Sequence, residues 1–205
     1  DFLPADEVIN HLFLLFWAGY DTTASAASWI LHTLAYRPDC QERLREELTA
    51  LDFLDLESLE RGKDTPYTEW FLLEAERMYP SALFFPRLTL EDMEFQGHVI
   101  PEGTTTFYSP YMSHRDPGSF NHPNAFMPER WDPARPDRPK PSVLVGFGGG
   151  PRVCLGKAFA KLQLKLMLSA LLRSKVVEPD PTIPFSVQAI PVHHPVNSHL
   201  HYRDL

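Results

Sequence analysis

Residues 147–156 read Phe147-Gly148-Gly149-Gly150-Pro151-Arg152-Val153-Cys154-Leu155-Gly156, and a helical pattern starts directly after them. A single cysteine thus stands between a glycine-rich turn and a helix N-terminus. Unpaired backbone N–H groups and the positive end of a helix dipole favour a thiolate at such a place. Gly150 and Gly156 are expected to let the backbone turn tightly and approach a flat ligand. Phe147 is placed to shield the sulfur, and Arg152 to answer a carboxylate on the ligand. The bland alternatives are a small core cysteine and a plain turn. A phosphate loop is excluded because no Gly-Lys-Ser/Thr follows. Pro151 stands where a dinucleotide fingerprint starting at Gly146 needs its third glycine, and zinc lacks a second nearby cysteine.

The rest of the 205-residue chain limits what the loop can serve. A net charge of -8 argues against a nucleic acid held by bulk electrostatics. The best apolar run, Leu12 to Gly19, is flanked by Asn10, His11 and Asp21 and is too short to span a membrane. Two cysteines, Cys40 and Cys154, suit a reducing compartment, so a cytoplasmic location is expected. The chain starts at Asp1 with a helical pattern almost at once, which reads as a fragment; a membrane anchor in a missing upstream part stays open.

Apolar residues recur around the whole circumference from Ala5 to Tyr36 (Val8, Ile9, Leu12, Leu15, Phe16, Trp29, Ile30, Leu34). That pattern predicts one long buried helix, stopped by Pro38. Asp39 is the expected N-cap of a second helix, with Glu42 at the capping-box position. An acidic, looser stretch leads to a third helix over Thr68 to Tyr79. From Leu83 short alternating runs with turn signals at Gln96-Gly97 and Pro101-Glu102-Gly103 predict a hairpin region. Tyr111 to Val143 is a proline-rich meander, too long for a loop without a functional reason. A helix over Lys157 to Arg173 and a tail of short strands complete the chain. His193, His194, His199 and His201 lack acidic or cysteine partners at ligand spacing and are not read as a metal site.

Phe147, Gly150, Arg152, Cys154 and Gly156 match all five fixed positions of Phe-x-x-Gly-x-Arg-x-Cys-x-Gly. The segment resembles the cysteine-ligand loop of the cytochrome P450 family. Other motifs follow in family order. Ala18-Gly19-Tyr20-Asp21-Thr22-Thr23 resembles the oxygen-activation motif of the distal helix. Glu74 and Arg77 resemble the Glu-x-x-Arg pair, joined in the family by a meander arginine, here Arg130 of Phe126-Met127-Pro128-Glu129-Arg130-Trp131. Glu76 departs from the apolar residue many members carry there, which bears on local packing.

The resemblance implies a mainly α fold with small β-sheets, incomplete and running from the long oxygen-binding helix onward. The whole of 1–205 would be the C-terminal part of one domain, without the helices and loops that roof the substrate pocket. It implies haem b, with Cys154 as the axial ligand of the iron. Arg87, Phe147, Gly148, Arg152, Gly156, Ala18 and Gly19 would contact the cofactor, and Gly19 would leave room over it. Asp21 and Thr22 would carry the protons of oxygen activation, while Glu74, Arg77 and Arg130 form a structural triad. His114 of His114-Arg115-Asp116-Pro117 is mainly structural and a weaker candidate near the haem.

The implied activity is a monooxygenase acting on an apolar small molecule with dioxygen, its pocket lined in part by Leu83, Phe84 and Phe85. Electrons would come from a ferredoxin or a flavodoxin-like reductase. Lys157, Lys161 and Lys165 recur every four residues and are expected to form an exposed basic docking stripe. A peroxide-driven or rearranging enzyme, a non-catalytic haem-binding module and a truncated inactive fragment are the competing readings.

Overall fold

Pro38 divides the first two helices as its chemistry requires, because proline opens a helix at its first position and cannot continue one. In the computed structural model, which describes residues 3–52 and 55–205, α1 covers Ala5–Tyr36 and α2 Pro38–Thr49. Asp39 is not the N-cap: Arg37 holds that position, and its guanidinium pairs with Asp39. Glu42 pairs with Arg45 instead of closing a capping box. The acidic stretch holds a short helix the sequence reading passed over, α3 at Leu56–Arg61, capped by Asp55 and closed by left-handed Gly62. Phe53 and Leu54 in the same stretch, like Asp1, lie outside the described residues. Then α4 runs over Pro66–Met78.

Next comes the hairpin region: β1 (Phe85–Leu88), β2 (Met93–Phe95), β3 (His98–Ile100) and β4 (Thr105–Tyr108). Antiparallel pairing joins β1 to β4 and β2 to β3. Gln96 and Gly97 both have positive φ between β2 and β3, the geometry that matches strand twist in a two-residue turn. A one-turn helix, α5 (Pro110–Ser113), leads into the meander. After the cysteine loop, α6 covers Lys157–Leu172. The tail forms β5 (Lys175–Pro179), β6 (Ser186–Gln188), β7 (His194–Val196) and β8 (Leu200–Asp204), paired β5–β8 and β6–β7.

The core is built where α1, α2, α4 and α6 meet. Ile30, Leu34, Leu44, Leu48, Phe71, Leu164, Leu168 and Leu172 fill it. Buried Gln41 uses both ends of its amide, donating to the carbonyls of Leu34 and Val177 and accepting from the Val177 N–H, so it ties β5 to the helices. A second apolar cluster of Phe120, Trp131 and Leu144 sits under the meander.

The tail also reaches α1. The carbonyl of His193 accepts from Ser25 Oγ and Trp29 Nε1, and its N–H donates to Ser81. The Trp29 ring stacks on Tyr79 of the segment leaving α4, with centroids 4.3 Å apart.

Only half of α1 is buried as predicted. Its buried residues start at Ser25, while Leu12, Phe13, Phe16 and Trp17 are exposed. The circumferential pattern asks for neighbours on every side, and the described residues supply them to the second half alone. No helix among the described residues is long and apolar enough to cross a membrane.

Candidate functional site

Two left-handed glycines shape the cysteine loop. Gly148 has φ +76° and Gly150 φ +66°, conformations that disfavour a side chain. Gly156, expected to turn the chain, instead has φ -81° and serves as the N-cap residue of α6. A Cβ there would lie 3.9 Å from Cys154 Sγ, an ordinary contact. The loop is locked by Cys154 N–H donating to Phe147 O at 2.9 Å. Cys154 is a free, exposed thiol, and Cys40 a free, buried one whose pKa is raised by burial.

Across from the loop lies α1. Between them runs a cleft of ≈ 260 Å³, lined by Ala18, Thr22, Thr23, Ala26, Phe85, Phe147, Arg152, Cys154, Ala160 and others. The structure therefore brings Ala18, Thr22, Phe85, Phe147, Arg152 and Cys154 together. Asp21 and Gly19 do not line the cleft: Asp21 faces solvent, and a Cβ at Gly19 would meet nothing within 4 Å. The helix continues through this motif, with Thr22 Oγ1 donating to Ala18 O at 2.8 Å. The Thr22 carbonyl accepts from Ser81 Oγ.

Leu83 and Phe84 do not line the cleft, and Phe84 is exposed. Tyr79, Pro80, Ser81 and Ala82 supply that wall with Phe85, because the chain passes the cleft before β1 begins. Sequence reasoning missed these residues, and the proline that ends α4 was the available signal.

Arg87 lies on β1 over the ring of Tyr108, with its Nη2 3.4 Å from Tyr108 Oη. A Cβ at Gly148 would also lie 3.4 Å from that oxygen, so Arg87 reaches the edge of the cysteine loop through Tyr108.

Glu74, Arg77 and Arg130 form a buried clamp. Arg77 donates to Glu74 from Nε (2.9 Å) and Nη2 (2.8 Å), and Arg130 Nε reaches both carboxylate oxygens at 3.1 Å. Trp131 Nε1 and the Met127 N–H donate to the same carboxylate. The remaining guanidinium N–H groups meet meander carbonyls of Asn121, His122, Pro123 and Ala125. Every charge is thus answered out of water, and the meander is pinned to α4.

His114 is buried and does not line the cleft. Its Nε2 accepts from the Val145 N–H at 2.9 Å, which leaves Nδ1 to donate to Arg77 O at 3.1 Å. The imidazole braces the clamp against the start of the cysteine loop and must be neutral to do so. Burial lowers its pKa to about 4, helped by the charges of Arg77 and Arg115. Between pH 6.5 and about 4 the unfolded chain binds a proton there that the folded chain refuses, so this stability is full above the window and lost as pH falls. The fall in denaturation midpoint across that window is expected to be shallower for His114→Asn than for the unaltered protein; equal slopes would count against the assignment.

The expected basic stripe is corrected. Lys157, Lys161 and Lys165 do share one side of α6, but that side flanks Leu164, Leu168 and Leu172 in the core. Lys165 is 2% exposed, pairs with Glu69 and donates to Leu59 O. Lys161 is held by burial below the usual lysine range. Lys157, half-buried, lies over the Phe147 ring. An exposed docking patch of three lysines does not exist here.

The cleft offers one sulfur, small walls from Ala18, Ala26, Ala75, Ala82 and Ala160, and an arginine at its rim. A single thiolate suits an iron that brings its other ligands with it, and small walls suit a flat macrocycle. The residues present fit a haem.

The family model described as Cytochrome P450 matches residues 2–190. The chain belongs to the cytochrome P450 family. It is 36% identical over 169 residues to cytochrome P450 3A6 of Oryctolagus cuniculus, covering 82% of this chain and 34% of that protein. It is 35% identical over 195 residues to thromboxane-A synthase of Sus scrofa, covering 91% of this chain and 36% of that one. A solved structure, the retinoic acid bound cyanobacterial CYP120A1, matches all of this chain with a TM-score of 0.89 and 31% identity, over 48% of its own length. The P450 chain thus spans about a third of the curated relatives it matches and about half of this solved one. Its helix-rich architecture with small sheets is an incomplete cytochrome P450 fold.

Proposed function

We propose that this chain forms the haem-holding part, within a single domain, of a haem-thiolate monooxygenase acting on an apolar small molecule. The observation that carries this reading is the thiol of Cys154 facing Thr22 of α1 across one apolar cleft. Bound haem b would supply the oxygen chemistry, placing one atom of dioxygen in the substrate and releasing the other as water. Cys154 would hold the iron through its thiolate, a ligand that supplies electron density to it. Phe147, with Lys157 over its ring, lines the cleft together with Cys154. Arg152 at the rim, and Arg87 through Tyr108, are placed to answer the carboxylates of the cofactor. Ala18 keeps the opposite wall low, with Gly19 behind it.

Thr22 Oγ1 directs its proton to Ala18 O, so its lone pairs are free to hold a water in the cleft. Asp21, one residue earlier and in solvent, can refill that water with protons. Phe85, with Leu83 and Phe84 beside it, makes the substrate end apolar. A ferredoxin or a flavodoxin-like reductase delivers the electrons one at a time. Two free thiols, one of them buried, support a reducing, cytoplasmic setting.

The test uses the full-length protein, reduced under carbon monoxide. The thiolate-specific absorption band is expected, together with reductant-dependent oxygenation of an apolar substrate. Thr22→Val should keep the band while lowering the product formed per electron consumed. A band without any turnover points to a haem-binding module, and no band at all sinks the haem-thiolate reading.

A further inference from the structure

Ser81 lines the cleft in the segment that leaves α4, and its backbone is held from both sides. The Tyr79 ring stacks on Trp29. The Pro80 carbonyl accepts from His193 Nδ1 at 3.2 Å, and the Ser81 carbonyl accepts from the His193 N–H at 2.9 Å. His193 is in turn fixed to α1, because its own carbonyl takes the Ser25 hydroxyl and the Trp29 indole N–H. The tail therefore sets where Ser81 stands, and the serine hydroxyl is left to act.

That hydroxyl donates to the Thr22 carbonyl at 2.9 Å. A helix carbonyl keeps a lone pair after its bond to the fourth residue on, so this contact adds to the helix instead of breaking it. Thr22 stands three residues before Ser25, the first buried position of α1. Counted from the N-terminus, it is also the first residue of α1, among the described residues, to take a hydrogen bond from another element. Its side chain is joined stiffly to this backbone. A β-branched residue has few rotamers in a helix, and the bond from Oγ1 to the Ala18 carbonyl at 2.8 Å selects one. Where the Thr22 carbonyl goes, the hydroxyl follows.

We propose that Ser81 is a positioning residue for Thr22: its hydroxyl, presented by His193 of the tail, fixes where the Thr22 side chain stands in the cleft and so governs how many electrons end in product. This rests on the oxygenase reading above, in which the Thr22 hydroxyl holds a water. Such a water is useful only within hydrogen-bond reach, about 2.6–3.2 Å, of the atom that takes its proton. Loss of the anchor widens the positions the hydroxyl visits, and electrons are then consumed without oxygenating substrate.

The experiment uses the full-length, haem-loaded protein with Ser81→Val and Ser81→Thr, two side chains of one outline that differ by the hydroxyl. An alkoxycoumarin ether serves as the apolar probe, and electrons are counted as NADPH consumed through a ferredoxin and its reductase. Ser81→Val is expected to form about fivefold less product per electron, the weight of one hydrogen bond. Ser81→Thr should stay within about twofold of the unaltered protein. The thiolate band should persist in both, and KM should move alike in both; a residue that only lined the pocket would change KM and give Val and Thr the same yield. In a Thr22→Val background Ser81→Val should add nothing, since it acts through that hydroxyl. Amide hydrogen exchange decides the matter if the probe is not turned over: residues 23–27 should exchange about fivefold faster in Ser81→Val than in Ser81→Thr. Should the branched variants fail to fold, Ser81→Ala is compared with the unaltered protein by the same measurements. Equal exchange in the Val and Thr variants, or an additive loss in the Thr22→Val background, overturns the proposal alone. Absence of the thiolate band from the unaltered protein overturns the haem reading and this proposal with it.

Discussion

Cys154→Ser is expected to remove the thiolate band entirely and to cut oxygenation to below about a thousandth, roughly 4 kcal/mol of barrier. The hydroxyl of serine is a far weaker acid than a thiol, so the loop's N–H groups cannot hold it ionised as an iron ligand. Among the described residues lining the cleft the sulfur is the only one, and none of the others offers a replacement with soft character. The change is small and exposed, so the fold should survive: the loop's own lock, Cys154 N–H to Phe147 O, belongs to the backbone. The decisive measurement pairs the carbon monoxide spectrum with a thermal unfolding curve. Lost band with a retained unfolding transition is the expected result, and a retained band would remove Cys154 from its role.

Glu74→Ala should do the opposite, destroying stability before it touches chemistry. It leaves the guanidinium groups of Arg77 and Arg130 buried without their counter-charge, and Trp131 Nε1 and the Met127 N–H without an acceptor. Breaking a buried ion pair from one side costs about 3–5 kcal/mol. Against a whole-domain stability of roughly 5–15 kcal/mol, that is enough to leave much of the protein unfolded under mild stress. A denaturant titration of the full-length protein should show a large drop in midpoint. Glu74→Gln is expected to lose less, because the amide oxygen still accepts part of the network. A midpoint like that of the unaltered protein would mean the meander is anchored elsewhere.

The sequence disclosed these two centres because each is written in short, local spacing. Glu74 and Arg77 are three apart on a helix and must share a face. The cysteine loop combines glycines, a proline and an arginine in one decad. Direction was harder to read. A lysine every four residues defines a side of α6 but not whether that side meets water, and the leucines one turn on decided it for Lys165. The all-round apolar pattern of α1 shows that partners are needed without showing which part of the chain supplies them. His114 was legible as structural, but its bond to Val145 joins residues 31 apart that no local pattern links. Glu76 appeared in the sequence as an anomaly of type, and only the fold gave it neighbours.

The bonds from Ser25 and Trp29 to the His193 carbonyl also set a timetable. Their ends are separated by 168 and 164 residues, and both side chains are buried when the bonds form. At a synthesis rate of 5–20 residues per second, α1 waits on the order of 10–30 s for the carbonyl to emerge from the ribosome. During that interval Trp29 has neither its acceptor nor the Tyr79 ring held by a finished tail. The wall that Trp29 contributes to the cleft is therefore among the last parts to be fixed, and a nascent chain cut short before His193 would lack both of these bonds.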